Sequence, residues 1–386
     1  MKKTLVAIAA LASVTAFAQT TVSITGNVDV AGTRLSGTMT GAKGTTFSQT
    51  LGTGSTSAIN FIATEDIGGG TKITGVYEID PRDWTNDNLA TTMNAGSTAS
   101  TAQTATVTGL KRHQAFIQAQ GNFGSIKLGA PNAPSLEAHG ASSPLGTGIG
   151  SGFAHATDTL ATRLSTARYS RSARYDTPTI NGLTGSLTYA PGSDVDGSED
   201  AGGIYVIRQI PNARRATEVA LKYSNGPLNI MVANVSTAYQ TYRTGWYAAS
   251  QVATDTTALG YLATKSNLAG ASYALGNTTL YVGMGSGGSR ATTTAATKAD
   301  LSRYAIKHSM GQIDLIAQMT SVADTTVSSG AKVTQKVQGF RADYNLSKTA
   351  VAYLGYEKLD TGTVASTANT TSGTRTLTSV GLRKSF

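Results

Sequence analysis

The chain ends in TLTSVGLRKSF, Thr376 to Phe386, with Leu377, Ser379, Gly381, Arg383 and Ser385 on one parity and Val380, Leu382 and Phe386 on the other. A terminal segment of this kind, alternating with a period of two and stopping on an aromatic, reads as the closing strand of a membrane-spanning β-barrel. Such a strand presents one face to lipid and the other to water. Leu377 breaks the phase, so the reading depends on the rest of the chain.

The first residues supply the context. Lys2 and Lys3 precede an apolar run from Leu5 to Phe17 and the small-x-small triplet Ala16, Phe17, Ala18, the three-part layout of a secretory signal peptide. Residues 1–18 are expected to be the signal, with the mature barrel over 19–386. The run is too short to span a bilayer, and no later stretch of about twenty apolar residues exists, which excludes a helical membrane protein.

Composition narrows the choice further. A hydrophobic content of 40%, a mean hydropathy of −0.10 and 43 glycines against 8 prolines describe a chain without the Leu-rich core of an ordinary enzyme of 386 residues. A barrel with a wet interior needs apolar residues only at alternate positions, which gives this diluted average. The absence of cysteine rules out disulfides and thiolate metal sites. Removing Lys2 and Lys3 leaves 29 basic against 22 acidic residues, a balance that attracts anions.

Two kinds of break alternate along the sequence. Short ones carry tight-turn chemistry: 66–70 (DIGGG), 120–124 (QGNFG), 177–182 (TPTING), 225–227 (NGP), 276–277, 310–312 and 345–348. Long ones, rich in Thr, Ser, Gly and Ala, run over about 34–56, 81–109, 130–165, 191–215, 237–257, 285–299, 321–334 and 359–373. They leave sixteen segments, each about 9–11 residues, the length of a tilted transmembrane strand. Short turns on one rim and long loops on the other are the mark of an all-β, 16-stranded antiparallel transmembrane barrel with its short side in the periplasm.

Several segments carry the two-residue period. Val22, Ile24, Val28 and Val30 alternate with Ser23, Thr25, Asn27 and Asp29, and Ile73, Gly75, Tyr77 and Ile79 alternate with Lys72, Thr74, Glu78 and Asp80. Tyrosines gather near segment ends, among them Tyr77, Tyr169, Tyr175, Tyr189, Tyr273, Tyr304, Tyr344 and Tyr353, as interfacial girdles would require.

The stretches TTVSITGNVDVAG (20–32), ATEDIGGGTKITGVYE (63–78), HQAFIQAQGNFGSIKLG (113–129), ARYDTPTINGLTGSLTYAPG (173–192) and the terminal VGLRKSF span essentially the whole mature chain. In these stretches the chain resembles the general porins of Gram-negative bacteria, specifically the trimeric sixteen-stranded kind of beta-proteobacteria. The resemblance implies a water-filled channel narrowed by an inward-folded third loop facing a basic wall. Here that loop is the span of about 130–165, with GTGIGSGF (146–153) as its flexible core. A homotrimer, contact with outer-membrane lipids and recognition by the barrel-assembly machinery through the strand ending at Phe386 follow from the resemblance.

Candidate pore-lining residues are charges on the inward parity, since a constriction selects ions by the side chains at its narrowest point. Arg168 and Arg174 share parity with Ser170, Ser172 and Asp176, and a strand through them would form a basic ladder spanning roughly 20 Å. Arg171 falls on the opposite parity and is expected at a rim or subunit contact. Lys72 and Glu78 share the inward parity of their segment, and the resemblance makes Glu78 an acidic lumen residue. At the end of the second long loop, the resemblance favours His113 as the constriction residue, whereas strand parity favours Arg112, in line with Gln114, Gln118 and Gln120. Both stand as candidates. The third loop contributes chiefly Glu137 and Asp158, with Ser142 and Ser143 at its inward tip, and Ala58 occupies a wall position where the resemblance expects Arg.

Other chemistry lacks support. His113, His139, His155 and His308 have no metal-ligand spacing, GSGGS near Gly285 is expected to be loop, no nucleophile elbow or dinucleotide fingerprint is present, and basic residues do not interleave with aromatics as a nucleic-acid site requires. No catalytic residue, metal or cofactor is expected, and no nucleic-acid partner. Trp84 and Trp246 lie in or beside long loops. The expected function is passive diffusion of small hydrophilic solutes, with a mild preference for anions. A solute-specific channel is the alternative reading, as is a barrel serving mainly as adhesin or anchor.

Overall fold

The computed structural model describes residues 20–38, 44–80, 111–152, 164, 167–169, 171–191, 197–199, 205–207, 214–241, 260–291, 297–326, 332–360 and 373–386. The first half contains β1 (Thr21–Gly37), β2 (Gly44–Leu51), β3 (Ala58–Gly68), β4 (Thr71–Asp80), β5 (Lys111–Gly121) and β6 (Gly124–Ala130). One helix, α1 (Pro134–Ala141), follows, and then β7 (Ser172–Asp176), β8 (Leu183–Ala190), β9 (Gly197–Glu199) and β10 (Tyr205–Ile207). The second half is β11 (Arg214–Asn225), β12 (Leu228–Thr241), β13 (Gly260–Leu275), β14 (Thr278–Ala291) and β15 (Thr297–Met310). It ends with β16 (Ile313–Thr326), β17 (Lys332–Ser347), β18 (Ala350–Asp360) and β19 (Thr374–Ser385).

Each strand pairs antiparallel with its neighbour, and β1 pairs with β19 from Asn27↔Ser385 to Gly37↔Arg375, closing the sheet. Closure leaves the large sheet without an edge strand among the described residues, the condition for a sheet in lipid. The terminal residue takes part, because Phe386 and Gly26 exchange both backbone hydrogen bonds at 3.0 Å. Strands β2 and β3 pair with successive parts of β1, Val30–Gly37 and Thr21–Asn27, so they form one interrupted stave. With β9 and β10 forming a separate ribbon, the barrel has sixteen staves.

All seven short breaks fall between paired strands, at the joints β3/β4, β5/β6, β7/β8, β11/β12, β13/β14, β15/β16 and β17/β18. Several long breaks are overturned in part: 191–215 contains β9 and β10, 237–257 begins inside β12, and 321–334 is mostly strand, with β16 reaching Thr326 and β17 starting at Lys332. The 34–56 stretch contains β2, and the 285–299 stretch is mostly strand, with β14 reaching Ala291 and β15 starting at Thr297. Strands β12 to β17 run to 14–16 residues.

The alternation sorts the faces. Val22, Ile117, Leu128, Met284, Tyr304 and Val380 are each 57–69% exposed on the outside, where a protein dissolved in water would not place such a band. Inward positions of β11 to β19 instead form one apolar cluster, which includes Met231, Leu268, Leu301, Val322 and Val337. Tyr169 and Tyr353 do not belong to a lipid girdle. They are 7% and 5% exposed inside the barrel, where their hydroxyls donate to Glu218 and Asp29, each at 2.6 Å.

Candidate functional site: the lumen constriction

The wall from β4 to β8 carries a continuous polar relay. It starts at a β-bulge: Tyr77 pairs with Ala115 and Ile79 with Arg112, so His113 and Gln114 both oppose Glu78. Glu78 accepts from Gln114 Nε2 at 2.7 Å, and its other oxygen lies 3.1 Å from His113 Nδ1. The bulge resets the two-residue period. His113 and Gln114 consequently reach the same lumen carboxylate, whereas Arg112 stands in register with Ile79, and its side chain lies outside the described residues.

From Gln114 the relay continues through Asn132, whose N–H donates to Gln114 Oε1 at 3.1 Å. Asn132 then accepts from Arg168 Nε at 3.3 Å on its side chain and from Arg174 Nη1 at 2.9 Å on its carbonyl. Arg174, 4% exposed, donates from Nε to Asp176 at 2.8 Å and from Nη1 to Glu137 of α1. Asp176 also accepts from Lys127 at 2.9 Å and Ser186 at 2.6 Å. Three cations, Lys127 and Arg174 on the wall and Arg168 beside it, are therefore interleaved with three carboxylates, Glu78 and Asp176 on the wall and Glu137 on the loop helix.

The basic ladder along one strand is corrected. Only Ser172–Asp176 is strand, and Arg168 is held instead by an isolated bridge to Asn132. Arg171 is exposed just before β7. Lys72 is exposed at the turn end of β4, six residues or roughly 20 Å from Glu78, so it does not join the group. Asp158 and His155 lie outside the described residues.

The third loop crosses the lumen and is pinned along the far wall. Pro134 starts α1, where its missing N–H costs nothing, and Ala133 offers no side-chain cap. The cap comes from the wall: Glu218, fully buried, accepts from Ser135 N at 2.9 Å and Ser135 Oγ at 3.0 Å, placing a carboxylate at the helix N-terminus. Past the helix, Ser142 Oγ accepts from Arg303 Nη1 at 2.8 Å and Ser143 Oγ donates to Gln318 at 2.8 Å. Gly150 N donates to buried Glu357 at 2.6 Å, and Ile149 N to the Thr53 carbonyl at 2.7 Å. Thr53 belongs to the 52–57 segment between β2 and β3, which turns inward over Asp29. Gly54 N donates to Asp29 at 3.0 Å.

Glycines make the seat. A Cβ at Gly283 would come 2.7 Å from Ser142 Cβ, at Gly285 2.8 Å from Leu164, at Gly355 2.6 Å from Ile149, and at Gly339 2.3 Å from the Gly150 carbonyl oxygen. The GSGGS run is thus wall on which the loop lies. Burying Ile149 and Leu164 there contributes about 2 kcal/mol each. His139 is 3% exposed with Nε2 donating to the Gly146 carbonyl at 2.9 Å, and burial, reinforced by the charge of Arg303, lowers its pKa to about 3.

Asp29, Lys127, Glu218, Arg303, Arg341 and Glu357 were not among the sequence candidates. A signal existed for some of them: Leu301, Arg303 and Ala305 alternate with Ser302, Tyr304 and Ile306, a period that puts Arg303 inside.

The Gram-negative porin family model matches residues 4–363. No curated protein matches the sequence. Among solved structures, the anion-selective porin from Comamonas acidovorans superposes with a TM-score of 0.68 at 18% identity, covering 95% of this chain and 100% of its own. The in-vitro folded OmpT of Vibrio cholerae in its trimer form gives 0.64 at 13%, covering 95% and 99%. Salmonella typhi OmpF in complex with daunomycin gives 0.58 at 12%, covering 95% and 97%.

Proposed function

The chain belongs to the Gram-negative porin family, whose members are passive channels of the bacterial outer membrane, and on that premise we propose that its β4–β8 wall and the third loop form a weakly anion-selective eyelet for small hydrophilic solutes. The observation that carries this reading is the interleaving of Lys127, Arg168 and Arg174 with Glu78, Glu137 and Asp176. Paired charges cancel at distances beyond a Debye length of about 8 Å, so the eyelet exerts a strong local field but little net repulsion. Mild anion preference then comes from the surplus of basic residues elsewhere in the chain. No enzymatic activity is assigned, and transport runs down concentration gradients.

Residues 1–18 act as a signal removed before assembly, residues 19–386 form the barrel, and about 130–165 serves as the constriction loop. Phe386 and the β19 strand present the assembly signal, and lipids contact the exposed apolar band. A homotrimer is supported by an apolar groove on the outside of β1 and β3 to β6, where small Ala63, Gly75 and Ala115 are rimmed by Val22, Phe61 and Ile117. The test is the reversal potential of single channels in planar bilayers under a tenfold potassium chloride gradient. A small potential of the anion-selective sign is expected, and a strong cation-selective potential contradicts the reading.

A further inference from the structure

The outer face of β11 to β14, on the far side of the sheet from the loop seat, carries a groove of about 520 Å³, a volume within the range of small-molecule sites of about 300–1,000 Å³. Its rims are Val219, Leu221, Val232 and Met284, all exposed side chains of outward parity. Its floor is set by Ala269 of β13, which lies between Val232 and Met284 in one ladder row and stops at Cβ. The two walls stand about 10 Å apart at the backbone, twice the strand spacing.

One row nearer the outer end, away from the short turns, the wall becomes polar. Asn234, Asn267 and Ser286 stand side by side, and Asn234 Nδ2 donates to Asn267 Oδ1 at 2.7 Å. Among the described residues this leaves the Asn234 carbonyl oxygen and the Asn267 amino group open on the outer face. Amides left unpaired in hydrocarbon are costly, so they call for a polar linkage to meet them. Two residues further along each strand, roughly 7 Å, Lys265 and Lys298 flank Gly288 in a single row. Gly288 has no side chain, so the two long stems can converge over it on one anion. Arg215 lies further out on β11, also outward. Lys298 is shared with Asp300 at 3.2 Å, whereas Lys265 and Arg215 meet no carboxylate among the described residues.

Apolar groove, amide belt and cationic rim thus follow one another outward, the order of acyl chain, linkage and phosphate in a phosphorylated lipid. Two copies of this face would set like charges against each other, so the surface suits an anionic amphiphile better than another subunit. We infer that it binds one phosphorylated glycolipid of the outer leaflet, with an acyl chain in the groove, the linkage against Asn234 and Asn267, and a phosphate between Lys265 and Lys298. The site lies outside the barrel and is independent of the ion preference assigned to the lumen.

The experiment titrates detergent-solubilised, delipidated protein with a diphosphorylated, acylated glucosamine disaccharide and counts retained lipid by native mass spectrometry. The wild type binds it, and the double variant Lys265→Gln, Lys298→Gln binds it about thirtyfold more weakly. Ala269→Trp fills the groove from the lipid side and weakens binding too, with single-channel conductance unchanged. Lys336→Gln, outward on β17, keeps wild-type binding. The same disaccharide without phosphates binds the wild type and the lysine variant equally weakly. Retention unchanged by either the lysine pair or Ala269→Trp overturns the inference. Inorganic phosphate that raises the melting temperature of the wild type as much as the lipid does marks a free-phosphate site and also overturns it. An oligomer that dissociates on Ala269→Trp identifies the groove as a subunit contact, with the same consequence.

Discussion

The β4–β8 wall and the β11–β18 wall obey the same alternation, yet their inward positions carry different chemistry. The first presents Glu78, His113, Lys127, Arg174 and Asp176 in a hydrogen-bonded relay. The second presents Met231, Leu268, Val322 and Val337 with glycines at 270, 283, 285, 339 and 355, and the few charges among them serve the loop that lies there. The comparison teaches that facing inward does not mean facing water. The β11–β18 side of the interior is a folding surface for the third loop, and in the proposed reading the channel runs along the charged side.

The comparison breaks most severely if the seat is filled. Gly339→Val drives a side chain into the Gly150 backbone, which cannot rotate away, and is expected to cost about 3 kcal/mol and to lift the loop. Single-channel conductance should rise, whereas Gly32→Ala, which meets nothing within 4 Å, should leave it unchanged. Removing the helix cap comes next. Glu218→Ala strands the donors of Ser135 and Tyr169 and is expected to lower stability by about 2 kcal/mol in urea unfolding.

Acid probes the same seat. The folded pKa of His139, about 3, lies below its unfolded value of 6.5, so the undocked state takes the proton first. Docking is therefore strongest above pH 6.5 and weakens as pH falls from 6.5 toward 3, by about 1 kcal/mol per unit. The difference in melting temperature between the wild type and His139→Gln, followed over that range, should show this slope. The smallest effect belongs to the charged wall. Arg174→Gln leaves Glu137 and Asp176 without their guanidinium and should move the reversal potential toward cations, a change of under about 1 kcal/mol. No movement would mean that this wall is not the filter.

What the sequence revealed and what it hid follow from the range of each interaction. The seven turns were legible because DIGGG, QGNFG and NGP act within a few residues, and their spacing yields sixteen staves. Parity worked wherever the strand was regular, and it could not decide between Arg112 and His113 because the bulge at His113 and Gln114 resets the phase. Tyr169 and Tyr353 could not be told from girdle residues, since their partners Glu218 and Asp29 are 49 and 324 positions away. GSGGS resembled a loop because a missing Cβ looks the same in a turn and in a wall that must admit another backbone. The loop seat joins residues up to 207 positions apart and leaves no local pattern.

The central claim is that the third loop rests on the β11–β18 wall while the channel conducts. The native chain has no cysteine, and a Cβ at Gly152 would stand 3.8 Å from Val337 Cβ, the separation a disulfide prefers. The pair Gly152→Cys and Val337→Cys, oxidised in the folded barrel and recorded in planar bilayers, should cross-link readily and conduct in wild-type steps. A pair that does not oxidise until the barrel unfolds, or whose oxidation abolishes conductance, would contradict the account.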